Sequence, residues 1–368
     1  MCLPLKSTLL HKSEKILVFL LLSRYLPGIM AKIQELLKDK KQHIDVDKIL
    51  NENPWITGRN RKCILSPDSD GLLCGLFLSH YLNWQIVGFY DGKVAVIKDG
   101  ISVFDDDVSF IDIEIYREGV KSMGHHMLSM NNRALPENWD VKFKQCIQPN
   151  LIRGYDRKQF RLKYPLATIH LIIALLENHI DIEVKESAIF PLLFTDGTYN
   201  VMTSYPENVL NWWDYLNVSN SKLLSHIFQN EQYSLFKLML EMDNFFRKRD
   251  NISAPKERGD RLKISNRDSS PYNIDHDGIT YQINEDAKRR CEEFLMLLSN
   301  LTGWDYKSTE WHFDNLNLFQ FTKSDFVSKK WTLTNGNWSK FLELNPLSWA
   351  MTSGINIEFT EEYPDKLK

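Results

Sequence analysis

Asp68-Ser69-Asp70-Gly71 sets two carboxylates one residue apart on a short turn that follows an apolar stretch. Two such groups can converge on one hard divalent cation, because these ions take oxygen ligands. Gly71 allows the backbone to turn sharply before the next segment. The same residues also suit an acidic helix cap on a solvated turn. Asp112 lies inside the apolar run FIDIEI, where a buried carboxylate needs a cation or hydrogen-bond partners. If that run is an edge strand, Asp112 and Glu114 share its wet face instead. Gly124-His125-His126 offers adjacent imidazoles as ligand and proton donor, with Ser122 and Ser129 nearby, or else a pair of surface histidines. Asp196 follows the apolar IFPLLF, again an acid after an apolar segment, or a simple Asp-Gly turn.

These groups cooperate only if the surrounding elements bring them together. Residues 61–65 (RKCIL) read as a short buried strand, 72–82 as a helix buried on most sides, and 85–90 (QIVGFY) as a second strand. Strand, loop, helix and strand make a βαβ unit, which requires a parallel sheet and a right-handed crossover. Ligands bind such sheets outside the carboxyl ends of the strands, where residues 68–71 fall. Residues 94–97, 108–115 and 189–194 continue the strand pattern. Residues 165–176 predict a helix with proline at its start, and residues 30–50, most of 206–248, and 284–303 also read as helical. The tail over 311–359 reads as α/β with a hairpin turn at Asn335-Gly336.

The expected fold class is α/β: a parallel-sheet N-terminal domain with a smaller α/β C-terminal part. Residues 1–29 read as an extension outside the fold, because the apolar run at 16–22 is too short to span a bilayer and Met30 opens an amphipathic segment. The domain itself is expected over 30–246, a basic linker or mobile loop over 247–272, and the C-terminal part over 273–368. A chain of 368 residues with 43% hydrophobic and 25% charged residues has ample material for a core. Its formal charge of -3 excludes a wholesale nucleic-acid coat and leaves room for a local basic groove. Arg258, Arg261 and Lys263 are the candidates for such a groove, with an interleaved soluble linker as the alternative. Arg153, Arg157, Lys158, Arg161 and Lys163 form either a phosphate-binding strip or a solvated helix face. The five cysteines include no C-x-x-C pair, which disfavours a Cys₄ zinc site and fits a reducing, cytoplasmic setting.

Read in order, these segments resemble the DHH phosphoesterase superfamily, which includes RecJ-type exonucleases, short-oligoribonucleotide phosphatases and inorganic pyrophosphatases. ILSPDSDGLLCGLFLSHYL is similar to its first motif, Asp112 to its strand Asp, His125-His126 to its Asp-His-His, and Asp196 to its later Asp. The resemblance covers residues 60–215. It implies a metal-dependent phosphoesterase that hydrolyses phosphodiester bonds, nuclease-like, on nucleic-acid ends or short oligonucleotides. By the same resemblance Asp68, Asp70, Asp112, His125 and Asp196 would hold one or two Mn²⁺ or Mg²⁺ ions. His125 and His126 would face the phosphate, and the partner would be a nucleic acid or nucleotide, with no membrane. Two departures stand out: Gly124 replaces the acid of Asp-His-His, and the spacing from Asp112 to His125 is short. They leave three outcomes: a ligand set remodelled around Glu114 or Asp105 to Asp107, a one-metal site, or an inactive scaffold within a larger complex. A further alternative takes residues 66–71 as a nucleotide-binding loop like that of ATP pyrophosphatases, which is richer in glycine where Pro67 stands.

Overall fold

The computed structural model describes residues 42–131, 135–255, 257–325, 340–352 and 357–361. The expectations for residues 1–29, for most of 30–50 and for the Asn335-Gly336 hairpin lie outside them.

β1 (Lys62–Leu65), β2 (Gln85–Tyr90), β3 (Val94–Lys98), β4 (Val108–Ile111), β5 (Lys121–Met123) and β6 (Cys146–Ile147) come from the N-terminal half. β7 (Ile274–His276), β8 (Tyr281–Ile283) and β9 (Leu316–Gln320) join them in one nine-stranded sheet of order β6-β5-β4-β1-β2-β3-β9-β8-β7. The β6 to β2 half is parallel, and the β3 to β7 half is antiparallel. The fold is α/β, as expected from the βαβ pattern. The sheet runs on past residue 273, where a separate C-terminal part was expected, because β9 pairs along the whole of β3. A second sheet of β10 (Thr322–Asp325), β12 (Ile357–Glu361) and β11 (Pro346–Met351) packs against the first. The Tyr90 hydroxyl joins the two through Ser348 at 3.1 Å and Thr360 at 3.0 Å.

α1 (Ser69–Leu82) returns from β1 to β2. Leu72, Leu73, Leu76, Phe77, Leu78 and Leu82 all lie buried on it, each stabilising the fold by about 1.5–3 kcal/mol relative to exposure. α2 (Thr168–Leu176) packs beside α1, and all its residues are buried. Gly71 is required at the start of α1, because a Cβ there would lie 1.9 Å from the Ser66 carbonyl oxygen.

Three local expectations are corrected. β4 ends at Ile111, and Asp112 turns into the left-handed region with φ 63°, so FIDIEI is not one strand. Residues Ile189–Phe194 form a helix, α3, not a strand. Ile189, Leu192 and Leu193 are buried at helical spacing against α4 (Leu235–Ile252), and a short apolar run does not by itself distinguish helix from strand. The stretch expected as a linker is anchored: residues up to Ile252 complete α4, and Asp260, Leu262 and Ile264 are buried. The Leu262 N–H donates to the Pro67 carbonyl at 2.8 Å, which fixes this stretch beside the exit of β1. No helix among the described residues is long and apolar enough to cross a membrane.

Candidate metal centre

β5, β4 and β1 are neighbours in the parallel half, and the segments leaving their carboxyl ends carry the predicted acids and histidines. After β1, Asp68 caps α1: its Oδ1 accepts the N–H groups of Asp70 at 3.2 Å and Gly71 at 3.3 Å. Asp70 caps a different helix. Its Oδ2 accepts from Thr168 N–H at 2.6 Å and its Oδ1 from Ile169 N–H at 3.2 Å, satisfying the open start of α2. The capping alternative therefore holds for both carboxylates, but Asp70 is buried and not on a solvated turn; the caps engage both oxygens of Asp70 and Oδ1 of Asp68.

After β4, Asp112 is buried in a backbone conformation that costs about 1–3 kcal/mol for a residue with a side chain. Its Oδ1 accepts from the Thr168 hydroxyl at 2.7 Å, while no hydrogen-bond donor reaches its buried Oδ2. After β5, the His125 and His126 rings stack with centroids 4.2 Å apart. His125 Nε2 lies 2.7 Å from Asp196 Oδ2, and its Nδ1 lies 2.9 Å from the Thr168 hydroxyl. His126 sits between Glu114 Oε2 at 3.6 Å and Asp196 Oδ2 at 4.0 Å. Asp196 reaches the cluster from the turn after α3, with φ 51°. Asp70, Asp112, His125, His126 and Asp196 thus gather at one end of the sheet, while Asp68, also expected as a ligand, caps α1 beside them and belongs to neither group of donors close enough to share an ion.

The electrostatics divide the group. Burial pushes Asp70 up to about 6, reinforced by Asp196 and Asp68. Burial raises Asp68, with Asp196 adding to it. Asp112 is held well above the carboxylate range by burial and then by Asp70 and Asp68. Asp196 goes the other way: burial opposes its charge, but the bond and charge of His125 and the charge of His126 bring it down to about 2. His126 rises to about 9, because its bond to Glu114 and the surrounding acids outweigh burial. Buried carboxylates packed this closely require a proton or a cation among them.

Two sets of donor atoms lie mutually within 4.8 Å: Asp112, His125 and His126, and Asp70, His125 and Asp196. They share His125, and a neutral imidazole has only one lone pair to give. The set containing Asp112 is the better cation site, because the oxygens of Asp70 are engaged by α2 and Asp112 Oδ2 is not. Carboxylate donors suit hard ions such as Mn²⁺ or Mg²⁺, and imidazole donors suit transition metals such as Zn²⁺ or Fe²⁺.

Gly124 has a direct structural explanation. A Cβ at this position would stand 2.7 Å from Glu114 Oε2 and 2.9 Å from its Cδ. The Glu114 carboxylate occupies the space a side chain at 124 would need, and Met127 N–H at 2.9 Å and Gln148 Nε2 at 3.2 Å hold it there. Burial works against its charge, yet the bond to His126 and the Met127 N–H keep it below the ordinary glutamate range. Asp105 to Asp107, the other substitutes considered, are at the opposite end of the strands. Asp107 pairs with Lys62 and Asp106 with Lys121 at 2.7 Å, both at the amino ends of their strands.

A cleft of about 970 Å³ opens over the cluster. Asp68, Asp112, Glu114 and His126 line its floor, and Arg258, Arg261 and Lys263 line its wall. Buried Asp260 pairs with Arg258 and lies 3.6 Å from Arg261, which positions both guanidinium groups. Of the earlier basic group, Arg153 is packed over the rings of Trp212 and Tyr215 at 4.4 and 4.5 Å, while Lys158 and Arg161 are exposed.

Thr168 escaped the sequence reading, although it joins Asp70, Asp112 and His125. The available signal was the proline-marked helix start at 165, since the N–H groups of a helix start attract carboxylates. No family model, curated protein or solved structure matches the chain.

Proposed function

We propose that this chain is a Mn²⁺- or Mg²⁺-dependent phosphoesterase acting on phosphodiester bonds at nucleic-acid ends or in short oligonucleotides, with a remodelled DHH-type motif set. The observation that carries the reading is the grouping of buried Asp112, whose Oδ2 has no hydrogen-bond partner among the described residues, with His125 and His126 beside a cleft walled by arginines. Asp112, His125 and His126 would hold the ion, with Asp70 and Asp196 beside them. Such an ion supplies charge neutralisation at phosphoryl oxygens and acidifies water. Glu114 orients His126, and Thr168 fixes Asp112 and His125. Arg258 and Arg261 draw the phosphate to the floor of the cleft and offset its charge.

The test is hydrolysis by purified full chain, with Mn²⁺ or Mg²⁺, of single-stranded DNA, short RNA, cyclic dinucleotides and pyrophosphate. Metal-dependent cleavage by wild type that disappears in Asp68→Ala and Asp112→Ala is the expected result. A folded protein that cleaves none of these substrates would refute it.

A second reading, a catalytically inactive scaffold within a larger complex, is favoured by one observation: both oxygens of Asp70 and Oδ1 of Asp68 serve helix starts. Calorimetric titration with Mn²⁺ separates the two, since a scaffold would take up the ion weakly or not at all.

A further inference from the structure

A second cavity, of about 390 Å³, adjoins the acid cluster at Asp68 and Asp196. The two cavities share Asp68, Arg258 and Arg261, so they meet at the arginine pair and the exit of β1. Their linings differ. The main cleft is highly charged, with Lys93, Lys263, Arg267 and Lys323 interleaved with Asp91, Glu257, Asp268 and Glu358. Phe194, Tyr199, Met242 and Phe246 line the smaller cavity. Phe194 and Phe246 are only partly buried, with ring centroids 5.6 Å apart. Asp196, the partner of His125, stands at its inner edge.

We infer that the smaller cavity seats a single terminal nucleoside, with its phosphate held at the Arg258–Arg261 junction and the rest of the chain lying in the main cleft. This rests on the phosphoesterase reading and assigns a place to the base of its terminal nucleotide. The chemistry of the walls carries the argument. Arg249 lies over one side of the Phe194 and Phe246 rings at 5.4 and 4.9 Å, and Tyr199 with the remaining ring surface offers faces on which any base can stack. The arginines at its mouth match a phosphate attached to that base. Its size is at the lower end for small-molecule sites, which suits one nucleoside and excludes a duplex. Pyrophosphate or polyphosphate would have no use for it.

The experiment is calorimetric titration of the full chain with adenosine monophosphate and, separately, with inorganic phosphate, in the absence and presence of Mn²⁺. The nucleotide is expected to bind at least about tenfold more tightly than phosphate. Tyr199→Ala and Phe246→Ala should remove that advantage and leave phosphate binding as it was, while Tyr199→Phe keeps it. Asn200→Trp, at an exposed position on the cavity lining, should block the nucleotide and spare phosphate even if the alanine variants fold poorly. Equal affinity for nucleotide and phosphate, or nucleotide binding unchanged in variants that melt like wild type, would overturn the inference. Metal-dependent hydrolysis with no nucleotide preference would sink the pocket alone. A nucleotide preference lost in the variants, in a protein that hydrolyses nothing, would keep the pocket and remove the phosphoesterase.

Discussion

Replacing Gly124 by alanine isolates the contact that sets this site apart from an Asp-His-His arrangement. Gly124 has no positive φ, so alanine can adopt its backbone, and the cost comes from the Cβ alone. That atom would meet the Glu114 carboxylate at 2.7 and 2.9 Å and the Ile113 nitrogen at 3.2 Å. The carboxylate cannot step aside cheaply, because Met127 N–H and Gln148 Nε2 bind one oxygen and His126 faces the other. Overpacking of this type costs about 1–3 kcal/mol, and the stiffer unfolded chain returns about 0.4–1 kcal/mol. We predict a net loss of about 1–2 kcal/mol, read as a lower urea midpoint at unchanged slope. Glu114→Ala is destabilising by itself, since it strands two buried donors at about 1–3 kcal/mol. Its cavity, however, has room for the new methyl. Glu114→Ala/Gly124→Ala should therefore be more stable than the sum of the single effects predicts, with a coupling of about 1–2 kcal/mol. Strict additivity, or a Gly124→Ala variant within 0.5 kcal/mol of wild type, would refute the argument that Glu114 fills the place of a side chain at 124.

Two further predictions concern the acids. Asp70 titrates near 6 in the folded chain against an ordinary value of 3.8, so the native state binds more protons than the unfolded one between those values. Its contribution to stability is then present below about pH 4 and lost as pH rises through 6. Urea melts in EDTA from pH 4 to 7 should show this fall in wild type relative to Asp70→Asn, and parallel profiles would contradict it. Asp112→Asn keeps a neutral group where burial, Asp70 and Asp68 already hold the acid protonated, and it removes a carboxylate oxygen that a cation would need. It should leave the urea midpoint of the metal-free chain near that of wild type while weakening Mn²⁺ binding by at least about tenfold in calorimetry, and undiminished binding would exclude Asp112 as a ligand.

The sequence by itself determined the βαβ unit over 61–90, because its apolar periodicity and its Pro67 and Gly71 punctuation are local. It determined the turn of Asp68-Ser69-Asp70-Gly71 for the same reason: Gly71 packs on Ser66, five residues away. The candidates Asp112, His125, His126 and Asp196 were legible as residue types out of place in apolar surroundings. Their partners were legible nowhere along the chain. Asp70 bonds Thr168 and Ile169 nearly a hundred residues on, and whether it caps a helix or binds a cation depends on that long-range pairing. The strand pattern over 189–194 failed because a six-residue apolar run fits either period, and its packing on α4 makes it a helix. The stretch 247–272 read as a linker because its few apolar residues hide among charges, yet burial of Leu262, Ile264 and Asp260 makes it the basic wall of the cleft. Strand order brings β1, β4 and β5 side by side. Only that order turns scattered acids and histidines into one site, because electrostatic coupling acts over ångströms in space and not over positions in sequence.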